Sequence, residues 1–157
     1  MGVVHLREFL TDTHAYMPPA SALAGLEDEA ANRRLPGAPH SVAEIVAHLN
    51  FWQNWFLSRC RGNAEPMAAT AAAGWRAVES WEVVRGQFLE GLTEAALLSE
   101  AADHPLVPAL EFPPMANYTV HQALAHVAVH NAHHLGQVVT LRQLMGQWPP
   151  PAGSWTW

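Results

Sequence analysis

An all-α fold, a four-helix bundle, is what the sequence predicts, and three observations carry that reading. No segment alternates strictly between apolar and polar residues, so no half-buried strand is expected. Apolar residues instead recur three and four apart through several stretches of the 157-residue chain. Two capping-box patterns, Ser41-Val-Ala-Glu44 and Thr119-Val-His-Gln122, mark points where a hydroxyl and a carboxylate or amide can satisfy the first free backbone donors of a helix.

Taken in order, Val3 to Tyr16 carries an apolar stripe of Val3, Leu6 and Leu10, widened by Phe9, and predicts a first helix. Pro18-Pro19 interrupts it, because proline lacks an N–H and disfavours helix at the residue before it. Helix can resume over Ala20 to Leu26, a short turn fits Asp28 to Arg34, and Leu35 to Pro39 reads as loop. The Ser41 cap opens a helix to about Cys60, stopped near Gly62. Its stripe is Ile45, Leu49, Trp52 and Phe56, and His48 lies on the inward edge. A connection rich in small residues leads to a third helix, expected from Trp75 to Leu92, with Gly86 and Gly91 weakening it and a short helix following over Glu94 to Ala102. His104 to Asn117 reads as an irregular, proline-rich crossover. The Thr119 cap opens the longest helix, to Met145, ended by Gly146. The tail holds Trp148, Trp155 and Trp157, too much apolar surface to leave in water, and is expected to pack on the bundle or on a partner.

Composition bounds the function. Half the residues are hydrophobic, only 14% are charged, and the formal net charge is −6. That fits one domain over residues 1–157, and the lack of a Lys/Arg cluster gives no electrostatic case for nucleic acid or an anionic membrane surface. No signal-peptide pattern and no apolar run of about 20 residues is present, so a cytoplasmic location is expected. Lone Cys60 cannot form an internal disulfide.

The chemistry concentrates in His126-Val-Ala-Val-His130-Asn-Ala-His133-His134, where His126, His130 and His134 follow one another at four-residue spacing. Residues four apart stack on one helix face, so two adjacent imidazoles can reach one ion. Spacing alone does not choose between the His126/His130 and His130/His134 pairs. His133 points about 100° away from His134. Asn131 stands where a metalloprotease helix has its glutamate. A third ligand must come from another helix, and inward-facing His48 is the candidate. Three histidines without a thiolate leave coordination positions open, as in a catalytic site. The bland alternative is that each histidine is simply a core or surface residue satisfied by backbone and water. His5, His14, His40, His104 and His121 have no partner spacing, and most are expected to be solvated. Trp52, His126 and His14 are candidates for the wall of a substrate pocket beside the ion.

Two segments also resemble a known family. Ser41-Val-Ala-Glu-Ile-Val-Ala-His48-Leu-Asn-Phe-Trp52 is similar to the second-helix motif of DinB/YfiT-like proteins, and His130-Asn-Ala-His-His134-Leu-Gly136-Gln137 to their fourth-helix motif. The resemblance implies an up-down-down-up four-helix bundle, often dimeric. It assigns His48, His130 and His134 as ligands of a divalent metal, zinc or nickel, against His126. Leu135 departs from the pattern, since many members carry a basic residue there. Characterised members include transferases and isomerases that use small thiols such as bacillithiol or mycothiol, and many others are classed as metal-dependent hydrolases. The expectation is therefore an enzyme whose metal activates a small thiol or a water toward a small-molecule substrate. The alternative is a non-catalytic metal-binding or stress-response protein.

Overall fold

The computed structural model describes residues 5–13, 15–78 and 80–154. Six α-helices follow in order: α1 (Arg7–Leu10), α2 (Pro19–Ala22), α3 (Asp28–Asn32), α4 (Val42–Cys60), α5 (Trp81–Glu100) and α6 (Val120–Leu144). One-turn 3-10 helices lie at Ala71–Gly74 and Pro113–Met115, and no strand occurs among the described residues. The all-α reading holds. The three long helices form the frame: α4 packs along both α5 and α6, α1 and α2 lie against α6, and α3 wedges beside α4 and α5.

Both capping boxes form as the sequence predicts. Ser41 Oγ accepts from Glu44 N while Glu44 accepts from Ser41 N, and Thr119 with Gln122 repeats the exchange. These caps fix where α4 and α6 begin, and burial of their apolar faces sets which side chains turn inward. Leu49, Leu57, Phe88, Leu124 and Leu135 are fully buried where the long helices meet. Each such side chain contributes about 1.5–3 kcal/mol of transfer free energy.

Two expected elements differ. In place of the first helix expected over Val3 to Tyr16, the described residues hold one helical turn, Arg7–Leu10. The chain leaves helix after Thr11, and Thr13 Oγ1 accepts from Ala15 N at 3.2 Å, a local turn that competes with helical pairing. Val3 lies outside the described residues. The third helix starts at Trp81 rather than Trp75 and runs unbroken to Glu100, absorbing the separate short helix expected after Glu94. Ser80 caps it by accepting from Val83 N, and Trp81 anchors it: the indole is buried and its Nε1 donates to Leu26 O at 2.9 Å.

Gly91 permits α5 to approach α4. A Cβ there would stand 2.4 Å from Gln53 Nε2. That amide donates to Phe88 O at 2.9 Å and its oxygen accepts from Asn131 Nδ2 at 3.2 Å, so one buried side chain links α4, α5 and α6. A second polar anchor is Arg59, 4% exposed, which donates to the carbonyls of Glu65, Pro108 and Ala109 and so fastens two crossovers to α4. The last described residues turn back over the helices. Pro151 lies against Gly25, and the Arg142 guanidinium sits over the Trp148 ring at 5.6 Å. Trp155 and Trp157 lie outside the described residues.

Candidate metal centre

The packing of α4 along α6 brings His48 of α4 opposite His130 and His134 of α6. One ring nitrogen from each lies within 4.8 Å of the others, a set that one ion with metal–nitrogen distances of about 2 Å could draw together. His48 and His134 are 5% and 9% exposed, and His130 is half-buried. Ring centroids are 4.8 Å apart for His48 and His134, 5.2 Å for His48 and His130, and 4.7 Å for His130 and His134. Among the described residues no fourth histidine, cysteine or carboxylate joins this group.

Electrostatics hold the rings in the form a ligand needs. Burial pushes His48 down to about 4, helped by His134, while the nearby Gly74 backbone opposes the shift and His40 adds to it. Burial likewise pushes His130 down to about 4, followed by its histidine neighbours, and lowers His134 against a hydrogen bond donated to Gln137 that favours the charged ring. Lowered from the ordinary histidine value, all three favour the uncharged form at neutral pH, which offers a nitrogen lone pair. Gln137 Oε1 lies 2.7 Å from His134 Nδ1. An amide oxygen only accepts, so Nδ1 carries the proton and Nε2 is the free donor atom. His48 Nδ1 is buried and makes no hydrogen bond of normal geometry; the Gly74 backbone beside it supplies only a weak interaction that favours the charged ring. Three neutral imidazoles turned toward one another, with no carboxylate among them to take up a proton, are a donor set that could hold a metal ion.

His126 stands apart from this group. It is exposed and lies 3.2 Å from the Tyr118 hydroxyl through Nδ1. With Trp52, Met67 and Met115 it lines a cavity of about 250 Å³ that also reaches His48 and His130. A second groove of about 480 Å³ reaches His134 and is walled by His40, Trp75, His133, Gln137, Ile45 and Leu141. Among the described residues no Asp, Glu, Lys or Arg lines that groove. His14 lies outside the described residues. Leu135, the position that departs from the family pattern, is fully buried in the core and lines neither cavity.

The sequence model of the DinB superfamily matches residues 14–138, which include all three histidines. The chain belongs to the DinB superfamily. No curated protein and no solved structure matches it.

Sequence reasoning missed two parts of this DinB-superfamily site. Trp75, expected to start a helix, instead stacks on His48, with centroids 4.0 Å apart and planes at 10°. His40, expected among the solvated histidines, is half-buried and stacks on the other side of that pair, 3.6 Å from the Trp75 ring at 4°. Neither contact has a periodic signature. The one local hint is the glycine preceding Trp75 in an otherwise featureless connection. Within the described residues no helix is long and apolar enough to cross a membrane.

Proposed function

We propose that this chain is a metal-dependent enzyme whose centre is His48, His130 and His134, acting on a small molecule. The observation that carries the reading is the convergence of three neutral imidazoles from two helices, each lining an adjoining cavity. When bound, a divalent ion such as zinc or nickel supplies Lewis acidity that lowers the pKa of a water or a small thiol to near neutrality. The protein's own contributions are positional. Gln137 fixes the tautomer of His134, and the helical spacing of His130 and His134 sets two of the donor directions. The apolar walls of Trp52, Met67 and Met115 limit water on the His48 side. The groove beside His134 is lined without a formal charge, so the ion itself would be the charge that a substrate there meets. No protein nucleophile is required, and Cys60, raised to about 11 by burial and then by Glu94, is not poised as one.

The test has two stages. Protein purified without a histidine tag and supplemented with zinc or nickel should carry close to one ion per chain; only trace metal would end the proposal. The loaded protein is then incubated with a panel of small thiols and a halogenated aromatic electrophile, and thiol consumption is followed. Metal-dependent consumption marks a transferase. Substrate turnover without thiol marks hydrolysis, and an inert loaded protein favours the alternative of a non-catalytic metal-binding role.

A further inference from the structure

We propose that Trp75 is a positioning residue for His48, its indole face doing for that ring what a hydrogen bond does for His134. The proposal rests on the metal reading above. A ligating histidine ordinarily donates its second ring N–H to a carboxylate, carbonyl or amide, which fixes both the tautomer and the plane of the ring. His134 has that partner in Gln137. His48 has no comparable partner, since its Nδ1 is buried without a hydrogen bond of normal geometry and only the Gly74 backbone interacts weakly with the ring. Left to itself, an imidazole torsion is broad and roughly two-fold, so the plane of His48 needs another restraint.

The restraint is a three-ring stack. The Trp75 indole lies 4.0 Å from His48 at 10°, and His40 lies 3.6 Å from the indole at 4°. Rotating His48 out of plane at that separation drives its ring atoms into the indole. Trp75 cannot retreat without disturbing His40. The turn Ala71–Gly74 that delivers Trp75 also closes on the edge of the ligand ring. A Cβ on Gly74 would stand 2.9 Å from His48 Nδ1 and 2.5 Å from Trp52 Nε1, so only glycine lets the backbone come so close. His48 is thus held by face and by edge. The device also ties the ligand to two loops: residue 40 precedes α4, and residues 71–75 belong to the connection that leads to α5.

The test uses full-length protein stripped of metal and titrated with Co²⁺, reading affinity and the visible d–d spectrum. Circular dichroism and melting of the metal-free proteins serve as controls. Trp75→Leu, which keeps apolar volume but loses the flat ring, should bind cobalt about 10- to 100-fold more weakly, the range seen when an outer partner of a ligand is removed. Its d–d band should shift while the melting curve of the metal-free protein changes little. Trp75→Phe, which can still stack, should restore the wild-type band. Cobalt binding by Trp75→Leu with wild-type affinity and spectrum overturns the positioning role and leaves the metal reading intact. A wild-type protein that takes up no cobalt overturns the metal reading and this proposal with it. If Trp75→Leu does not fold, His40→Ala decides: weaker binding with a shifted band supports the stack, and unchanged binding overturns it.

Discussion

Loss of the imidazole at His48, His130 or His134 should separate these residues from their neighbours. Each alanine variant is expected to lower metal affinity well beyond the 10- to 100-fold typical of an outer partner, measured as metal content after dialysis. Gln137→Ala should fall within that range, because it frees the tautomer of His134 without removing a donor. His126→Ala should retain full metal content, since its ring turns to the Tyr118 hydroxyl and lies outside the three-histidine group. Cys60 offers a prediction of the opposite kind. Its thiol is raised from 9.0 to about 11, so at pH 8 the reactive thiolate is about 100-fold scarcer than for an unshifted thiol. Iodoacetamide should therefore alkylate Cys60 about 100-fold more slowly in the native protein than in denaturant, and the native rate should climb as pH rises toward 11.

At the scale of the helices, the two glycines of α5 should respond in opposite senses. A Cβ added at Gly86 would meet no atom within 4 Å, so Gly86→Ala should stabilise by up to about 1 kcal/mol through helix propensity. Gly91→Ala gains the same propensity but displaces the Gln53 amide from Phe88 O and Asn131. Leaving such buried groups unpaired costs about 1–3 kcal/mol, so the net effect should be a loss of about 1 kcal/mol in urea unfolding. Sequence pattern reads Gly91 only as a weak point in a helix; the helix it admits lies across the chain and leaves no local trace. The capping boxes are legible because all their partners sit within four residues. His48, His130 and His134 are legible because helical spacing and a family motif coincide on them. The start of α5 is not, because Trp75 satisfies a helical stripe on paper while its ring is committed to His48. Nor is the short α1, where the hydroxyl of Thr13 wins over an apolar periodicity that continues past it.

For the whole molecule, Arg59 is the residue on which two distant crossovers depend. Its donors reach Glu65 O at 3.0 Å, Pro108 O at 2.9 Å and Ala109 O at 2.8 Å, and Trp55 Nε1 adds a bond to Pro66 O at 3.0 Å. Arg59→Met should destabilise by roughly 2–3 kcal/mol. Hydrogen exchange should rise in residues 62–70 and 104–117 well before it rises in α4. Removal of metal should act differently. The apolar core is built without it, so chelated protein should keep its helical circular dichroism. Returning metal at about 100 times its dissociation constant should add about 2.7 kcal/mol of stability through mass action.

The Gln53–Asn131 hydrogen bond joins α4 to α6 immediately beside His130. It sets the gap between the two ligand-bearing helices as part of folding. The conformational freedom that a loose site would lose on capturing an ion has therefore already been lost when the chain folds. Exchanging that amide pair for side chains that cannot hydrogen-bond should therefore weaken metal binding, although neither residue is a ligand.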